Sequence, residues 1–402
     1  MRFTRRLIHL FKTSWPVKIF GTLALVVVIC AVLLLTGTCG GVVIDDEDLP
    51  PVINSSPSPI TSADPTADPT ADPTADPVAD PTADPIEDPP LIPEGPGNPL
   101  TGLAIDEELI RNRPIAIVLS NERDALPMNG VADADIIYEY PVEGGMTRML
   151  GIFQDITGVD KVGSIRSARP YTVQIAESYD AIFIHAGGSP QAYEMIRNRR
   201  IDQFDEVAGR RREVFKRDRN RIPGKRIMNL HSVVALGERV IEWLPKYDIR
   251  LTHDDYENSL VFIDDGTPAG GSGASEVTVR FSGSKVTNFN YDTENGVYFV
   301  RQYSQNFVDA TANKPRPSFT NVIVIKTSVN STDWGSGRLD IKTTGSGEGY
   351  FMCGGKYIEI EWSREDLKSP FVYTQKDGTP LELGRGKTFI CIIPRNQSVN
   401  FS

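Results

Sequence analysis

The sequence predicts a mixed α/β (α+β) protein: a layered α/β N-terminal domain followed by a mainly β C-terminal domain, behind a membrane anchor and a disordered Asp/Pro stalk. Three observations carry this. A long uncharged run follows a basic N-terminus, a proline repeat follows that run, and the remaining chain changes near residue 270 from strand–helix alternation to closely spaced strands. Strands alternating with helices give layered α/β arrangements, whereas short strands separated by Gly and Asn turns give mainly β ones.

Residues 1–18 carry Arg2, Arg5, Arg6, Lys12 and Lys18 and no acid, and residues 19–44 carry no charge at all. An apolar run of this length can span a bilayer, and basic flanks stay on the cytoplasmic side, so the rest of the chain is expected outside the membrane. Cys39 follows Leu35-Thr36-Gly37-Thr38 and precedes Gly40, so the segment can also be read as a lipoprotein signal with lipid on Cys39. Thr36 and Thr38 stand where an aliphatic and a small residue are usual, which favours an uncleaved transmembrane anchor. Both anchors stay open.

Residues 45–97 form a linker built on Ala-Asp-Pro-Xaa, repeated six times from Ala63 to Ile86. Proline every fourth residue blocks helix and ladder formation, and the regularly spaced aspartates repel one another. Fully extended, such a stalk reaches on the order of 150 Å. It lacks the glycine turns that would gather its carboxylates around calcium.

The stalk also accounts for the acidity of the chain. Of a net charge of −11, thirteen acids lie in residues 45–97, which hold no base, and the near-neutral body does not suggest a nucleic-acid partner. One basic stretch, residues 197–226, holds twelve Lys/Arg against five acids. It reads as a solvated helix face and loop, with an anionic lipid or wall polymer as the functional alternative. In the body only Cys353 and Cys391 remain, as two small buried residues or one disulfide. No metal centre and no cofactor are expected.

Residues 98–270 open with aliphatic runs at Ile115–Leu119, Ile136–Tyr140, Met149–Phe153 and Ala181–His185, the pattern of strands covered on both faces. Helices are expected at Tyr171–Ser178 and Gln191–Arg199, and an amphipathic one at Val233–Trp243, stopped by Pro245. Residues 271–402 are expected to be β-rich, with strands at Val277–Phe281, Val297–Arg301, Val322–Lys326, Gly349–Met352, Tyr357–Trp362, Phe371–Thr374 and Thr388–Ile393.

The candidate site lies in residues 139–193, where Glu139, Glu143, Arg148, Arg166, Arg169, His185, Gly187, Gly188 and Ser189 flank apolar strands. Guanidinium groups beside helix starts at Pro170 and Pro190, with Gly187-Gly188 allowing close backbone approach, suit an anionic ligand. The competing reading is that the arginines pair internally with Glu139, Glu143 or Asp155 and brace the loops. Glu139 and Glu143 are also weak candidates for a glycosidase-like carboxylate pair. His185 beside Ser189 is a weak candidate for nucleophilic catalysis, because that serine precedes proline and lacks the Gly-Xaa-Ser-Xaa-Gly elbow.

Several motifs occur in order: Pro99-Leu100-Thr101-Gly102-Leu103, Arg113-Pro114-Ile115-Ala116, Glu139-Tyr140-Pro141-Val142-Glu143-Gly144-Gly145, Val162-Gly163-Ser164-Ile165-Arg166-Ser167-Ala168-Arg169-Pro170 and His185-Ala186-Gly187-Gly188-Ser189-Pro190-Gln191. Asn290-Tyr291-Asp292, Asn321-Val322-Ile323-Val324 and Gly386-Lys387-Thr388 follow them. Over roughly residues 98–395 the chain resembles the YerB-like family, bacterial proteins classed by sequence as lipoproteins and as a domain of unknown function with N- and C-terminal parts. The resemblance implies a layered α/β fold, a bacterial origin and an envelope location, and it brings no activity with it. Where family members usually read Pro-His-Asn-Leu-Tyr, this chain has Ile227-Met228-Asn229-Leu230-His231. The sequence therefore predicts a membrane-tethered extracytoplasmic binding or scaffold protein for an anionic wall component, peptide or envelope protein. The alternative is a wall-modifying hydrolase or transferase using Glu139, Glu143 or His185.

Overall fold

The computed structural model describes residues 97–254, 256–332 and 337–402. The expected anchor, Cys39 and all but the last residue of the stalk lie outside the described residues. Among the described residues, no helix is long and apolar enough to cross a membrane.

Nine strands organise the centre: β1 (Ile115–Ser120), β2 (Ile136–Pro141), β3 (Thr147–Phe153), β4 (Ile182–His185), β5 (Gln203–Asp205), and, from the second half, β6 (Asn321–Thr327), β7 (Gly345–Cys353), β8 (Lys356–Arg364) and β9 (Thr388–Pro394). They run in the order β8-β7-β6-β9-β2-β3-β1-β4-β5, extended past β8 by Ser272–Gly273 and Val372–Gln375 into an eleven-stranded sheet. The helices expected over 171–178 and 191–199 are present as α1 (Pro170–Glu177) and α2 (Pro190–Arg199), each begun by proline, whose missing N–H costs nothing there. The described residues are thus sheet-rich with few helices.

Residues on the two faces of the central sheet alternate strictly, as a pleated strand requires. Ile115, Ile117 and Leu119 of β1 join Val324, Phe389 and Cys391 in a core shared with a second, antiparallel sheet that contributes Val279, Phe289 and Val300. Ala116 and Val118 point the other way, into a core with Tyr138, Ile323 and Ile390 that α1 and α2 cover through Val173, Ile175, Ala192 and Ile196. This two-sided burial is why these strands read as continuous apolar runs.

The change of texture near residue 270 is not a break in the sheet. Strand β2 pairs in parallel with β9, setting Ile136 against Thr388 and Glu139 against Cys391. The mixed first part and the β-rich second part share this sheet, the apolar edge of β2 being closed by a strand more than 240 residues away. A correction concerns Val233–Trp243. Val233–Leu236 is a strand pairing with Lys161–Gly163 and Phe215–Arg217, and only Gly237–Trp243 is helical. Consecutive Val233-Val234 favours the pleated conformation, and the two neighbouring strands supply its partners. Cys353 and Cys391 are buried free thiols, and burial pushes the Cys353 thiol up to about 11.

Candidate functional site

Residues 166–170 and 186–189 run side by side at one edge of the central sheet, where β4 ends and both helices begin. Ala186 N–H donates to Arg166 O at 3.1 Å, Ala168 N–H to Gly187 O at 2.9 Å, and Ser189 N–H to Ala168 O at 3.2 Å. Gly187 has φ +75°, and its N–H donates to Asp205 Oδ1 at 2.9 Å. The expected approach of that N–H to a ligand is corrected: an internal carboxylate holds it. Ser189 caps α2, its Oγ accepting from Ala192 N–H at 3.2 Å, which leaves it engaged as a cap rather than as a nucleophile.

Two of the three arginines are braced. Arg169 grips Glu143 with two bonds, Nε to Oε1 at 2.6 Å and Nη2 to Oε2 at 3.0 Å, and the Arg169 guanidinium holds the half-buried Glu143 carboxyl below its ordinary range against the opposing effect of burial. Arg166 pairs with Glu122. Arg148 differs from both. It is 8% exposed, its Nη1 donates to Ser167 O at 2.9 Å, and among the described residues it makes no ion pair and its buried Nε, like that of Arg166, has no acceptor. Burial and the neighbouring Arg169 and Arg166 charges all lower its proton affinity. The buried Arg364 shows how such a group is normally satisfied, donating to Ser369 O, Thr343 Oγ1, Gln174 O and Leu367 O.

His185 and Glu139 lie inside the protein. His185 is fully buried, with Nδ1 donating to Gly187 O at 2.8 Å and Nε2 against Gln203 Oε1 at 2.7 Å. Glu139 is fully buried and held by Asn121, Thr147, Thr287, Gln302 and Lys285. A polymer cannot reach either group, so the glycosidase-like pair and the His185 mechanism lose their geometric basis.

Of the candidate residues, Arg169 and Ser189 line an open cleft of about 460 Å³, together with Gln174, Gln191, Glu194, Asn198, Arg338 and Asp340, whereas Arg148, Arg166 and His185 do not. Arg338 comes from the hairpin Val329–Ser331/Leu339–Ile341 of the second half, so it could not be placed here from sequence spacing. The Gln191 side-chain Oε1 is buried without a partner among the described residues. The basic stretch 197–226 is braced in part: Arg217 and Arg212 bind Glu206, Arg199 binds Glu177, and Arg221 is buried against backbone carbonyls. Lys285, Thr287, Gln302 and Asn121 gave no signal in the sequence, being single polar residues in or beside strands.

Residues 100–237 match the N-terminal domain, and residues 277–390 the C-terminal domain, of a protein family of unknown function, DUF3048. The chain belongs to the DUF3048 family. It is 29% identical over 308 residues to the Bacillus subtilis (strain 168) protein named "Putative lipoprotein YerB", covering 76% of this chain and 88% of that protein. The crystal structure of YerB from Bacillus subtilis superposes with a TM-score of 0.64 at 26% identity, covering 76% of this chain and 99% of that one. The YerB-like resemblance read from the motifs is thereby shown. At the DUF3048 position where Pro-His-Asn-Leu-Tyr was expected, Met228 and Leu230 are exposed (53% and 56%) and His231 is buried.

Proposed function

We propose that this DUF3048 protein is a membrane-tethered envelope binding protein whose cleft at Arg169, Ser189 and Arg338 takes an anionic wall component or peptide carboxylate. The observation that carries this is Arg148. A buried guanidinium with no carboxylate partner among the described residues stands beside Arg169, while the cleft itself carries Arg169 and Arg338 against Glu194 and Asp340. A buried cation without a counter-ion, beside a low-dielectric wall, attracts a ligand of the opposite sign. The cleft volume fits a small ligand or a segment of polymer, and Arg338 and the side-chain amides Gln174, Gln191 and Asn198 add directional hydrogen bonds.

The name of the Bacillus subtilis relative favours a lipid on Cys39 over an uncleaved span, and either anchor puts the body outside the membrane. Calorimetry with purified muropeptides and teichoic-acid fragments, run beside a digestion assay on isolated walls, tests the reading. Binding without product, weakened in Arg338→Ala, is the expected outcome. Product release, or indifference to every anionic fragment, would overturn it.

A further inference from the structure

The interior holds a second cluster, away from the cleft and closed to any substrate larger than water or ammonia. It lies between the central sheet and the second sheet, where Val286–Asp292 and Val297–Gln302 form an antiparallel pair that sets Thr287 opposite Gln302. Lys285 is 2% exposed, Gln302 1%, and Glu139, Asn121 and Thr287 not at all. Any reaction of these groups has to be with one another.

Their arrangement is that of an amide-exchange centre. Lys285 Nζ, a primary amine once it sheds a proton, lies 3.0 Å from Glu139 Oε1 and donates to the side-chain carbonyl Oε1 of Gln302. The other oxygen of the same carboxylate, Glu139 Oε2, accepts from Gln302 Nε2 at 2.9 Å. An ammonium on one side and a carboxylate on the other fix which way the Gln302 amide faces. One carboxylate therefore touches both the nucleophile and the leaving nitrogen. Thr287 Oγ1 at 3.2 Å and Asn121 Nδ2 at 3.3 Å also lie beside Gln302 Oε1; at rest their shorter bonds go to Glu139 and Thr147, and a proton of either would have to turn toward Oε1 as negative charge develops there. The Tyr303 ring, 4.9 Å from Nζ, and the Phe281 ring at 5.8 Å lie beside the amine.

We propose that Lys285 and Gln302 join through an intramolecular isopeptide bond, with Glu139 as the proton carrier. Nζ gives a proton to Glu139 Oε1, and its lone pair attacks Gln302 Cδ, moving the carbonyl electron pair onto Oε1 beside Thr287 and Asn121. Collapse breaks the Cδ–Nε2 bond. Nζ sheds two protons in all: one reaches Nε2, which leaves as ammonia, and one stays on Glu139. Atoms and charge balance without an oxidant or any co-reactant. The new Nζ–Cδ bond ties the start of one strand to the end of its neighbour.

Peptide mass spectrometry on the full chain, purified in detergent, denatured and cut with chymotrypsin, tests this. Cleavage after Phe281, Phe289, Phe299 and Tyr303 puts Lys285 and Gln302 on separate peptides, residues 282–289 and 300–303, with Gln302 away from the peptide terminus. The expected result is a joined pair lighter than the sum of its parts by one ammonia, about 17 Da. Glu139→Gln removes the carrier and should return both peptides at their sequence masses. Separate, unmodified peptides from the parent protein overturn the proposal whatever the variant does. A link from Lys285 to Asn121 overturns the assignment of Gln302.

Discussion

Glu139 and Lys285 meet at 3.0 Å with almost no exposure to solvent, and they come from opposite halves of the chain. Glu139 also accepts from Asn121, Thr147, Thr287 and Gln302, so the pair is embedded in a satisfied polar network rather than in bare hydrocarbon. Lys285→Ala leaves Glu139 buried without its cation and also prevents the Lys285–Gln302 link, so it should lower the unfolding free energy by at least about 3–5 kcal/mol, the usual cost of stranding one member of a buried pair. Urea denaturation measures it, and an unchanged midpoint would mean that solvent reaches Glu139 and that no link ties the two strands.

Asp135 gives the fold a pH dependence of unusual sign. Burial raises its carboxyl to about 6, against the lowering effects of the Gln154 N–H, Lys387 and Asn98. Between the unfolded value of 3.8 and about 6, the folded chain holds a proton that the unfolded chain has lost. Stability from this group is therefore fully present below the unfolded value and falls as pH rises through that window, by about 1–3 kcal/mol in total. Asp135→Asn should flatten the window. Denaturation midpoints at pH 4 and pH 7 for both proteins decide it; an identical slope in the variant would assign the dependence to other groups.

Arg169→Lys keeps the charge and loses the two parallel bonds to Glu143. If Arg169 also grips the ligand, affinity for an anionic wall fragment should weaken by about 1–3 kcal/mol, the range for a charge-assisted bond. Unaltered binding in a normally folded variant would make Arg169 a brace alone.

Gly237 opens the helix Gly237–Trp243 where a Cβ would lie 2.1 Å from Val159 O. The neighbour is backbone and cannot swing aside, so Gly237→Ala should destabilise by about 1–3 kcal/mol, as overpacking does. Thermal unfolding of the variant checks this, with a parental melting temperature counting against the packing seen here.

The anchor is tested by metabolic labelling with a lipid precursor. Incorporation that disappears in Cys39→Ser establishes the lipoprotein reading; no incorporation leaves the uncharged run 19–44 as a transmembrane span.

The sequence by itself determined the strands and the two helices that frame the site. Runs such as Ile115–Leu119 are apolar at every position because both faces of the sheet are covered, and Pro170 and Pro190 mark helix starts through local chemistry. It also singled out Arg169 and Ser189, which share the cleft, since charge and glycine beside buried strands are local signals. Only the tertiary structure decided that β2 pairs with β9, that Val233–Leu236 is a strand, and that Glu139 is sealed rather than exposed. Each of these depends on which distant segment supplies the neighbour, and a strand edge carries no label for its partner. For the same reason Arg338, Lys285 and Gln302 were invisible beforehand: each is an ordinary polar residue until long-range pairing sets it beside Arg169 or Glu139.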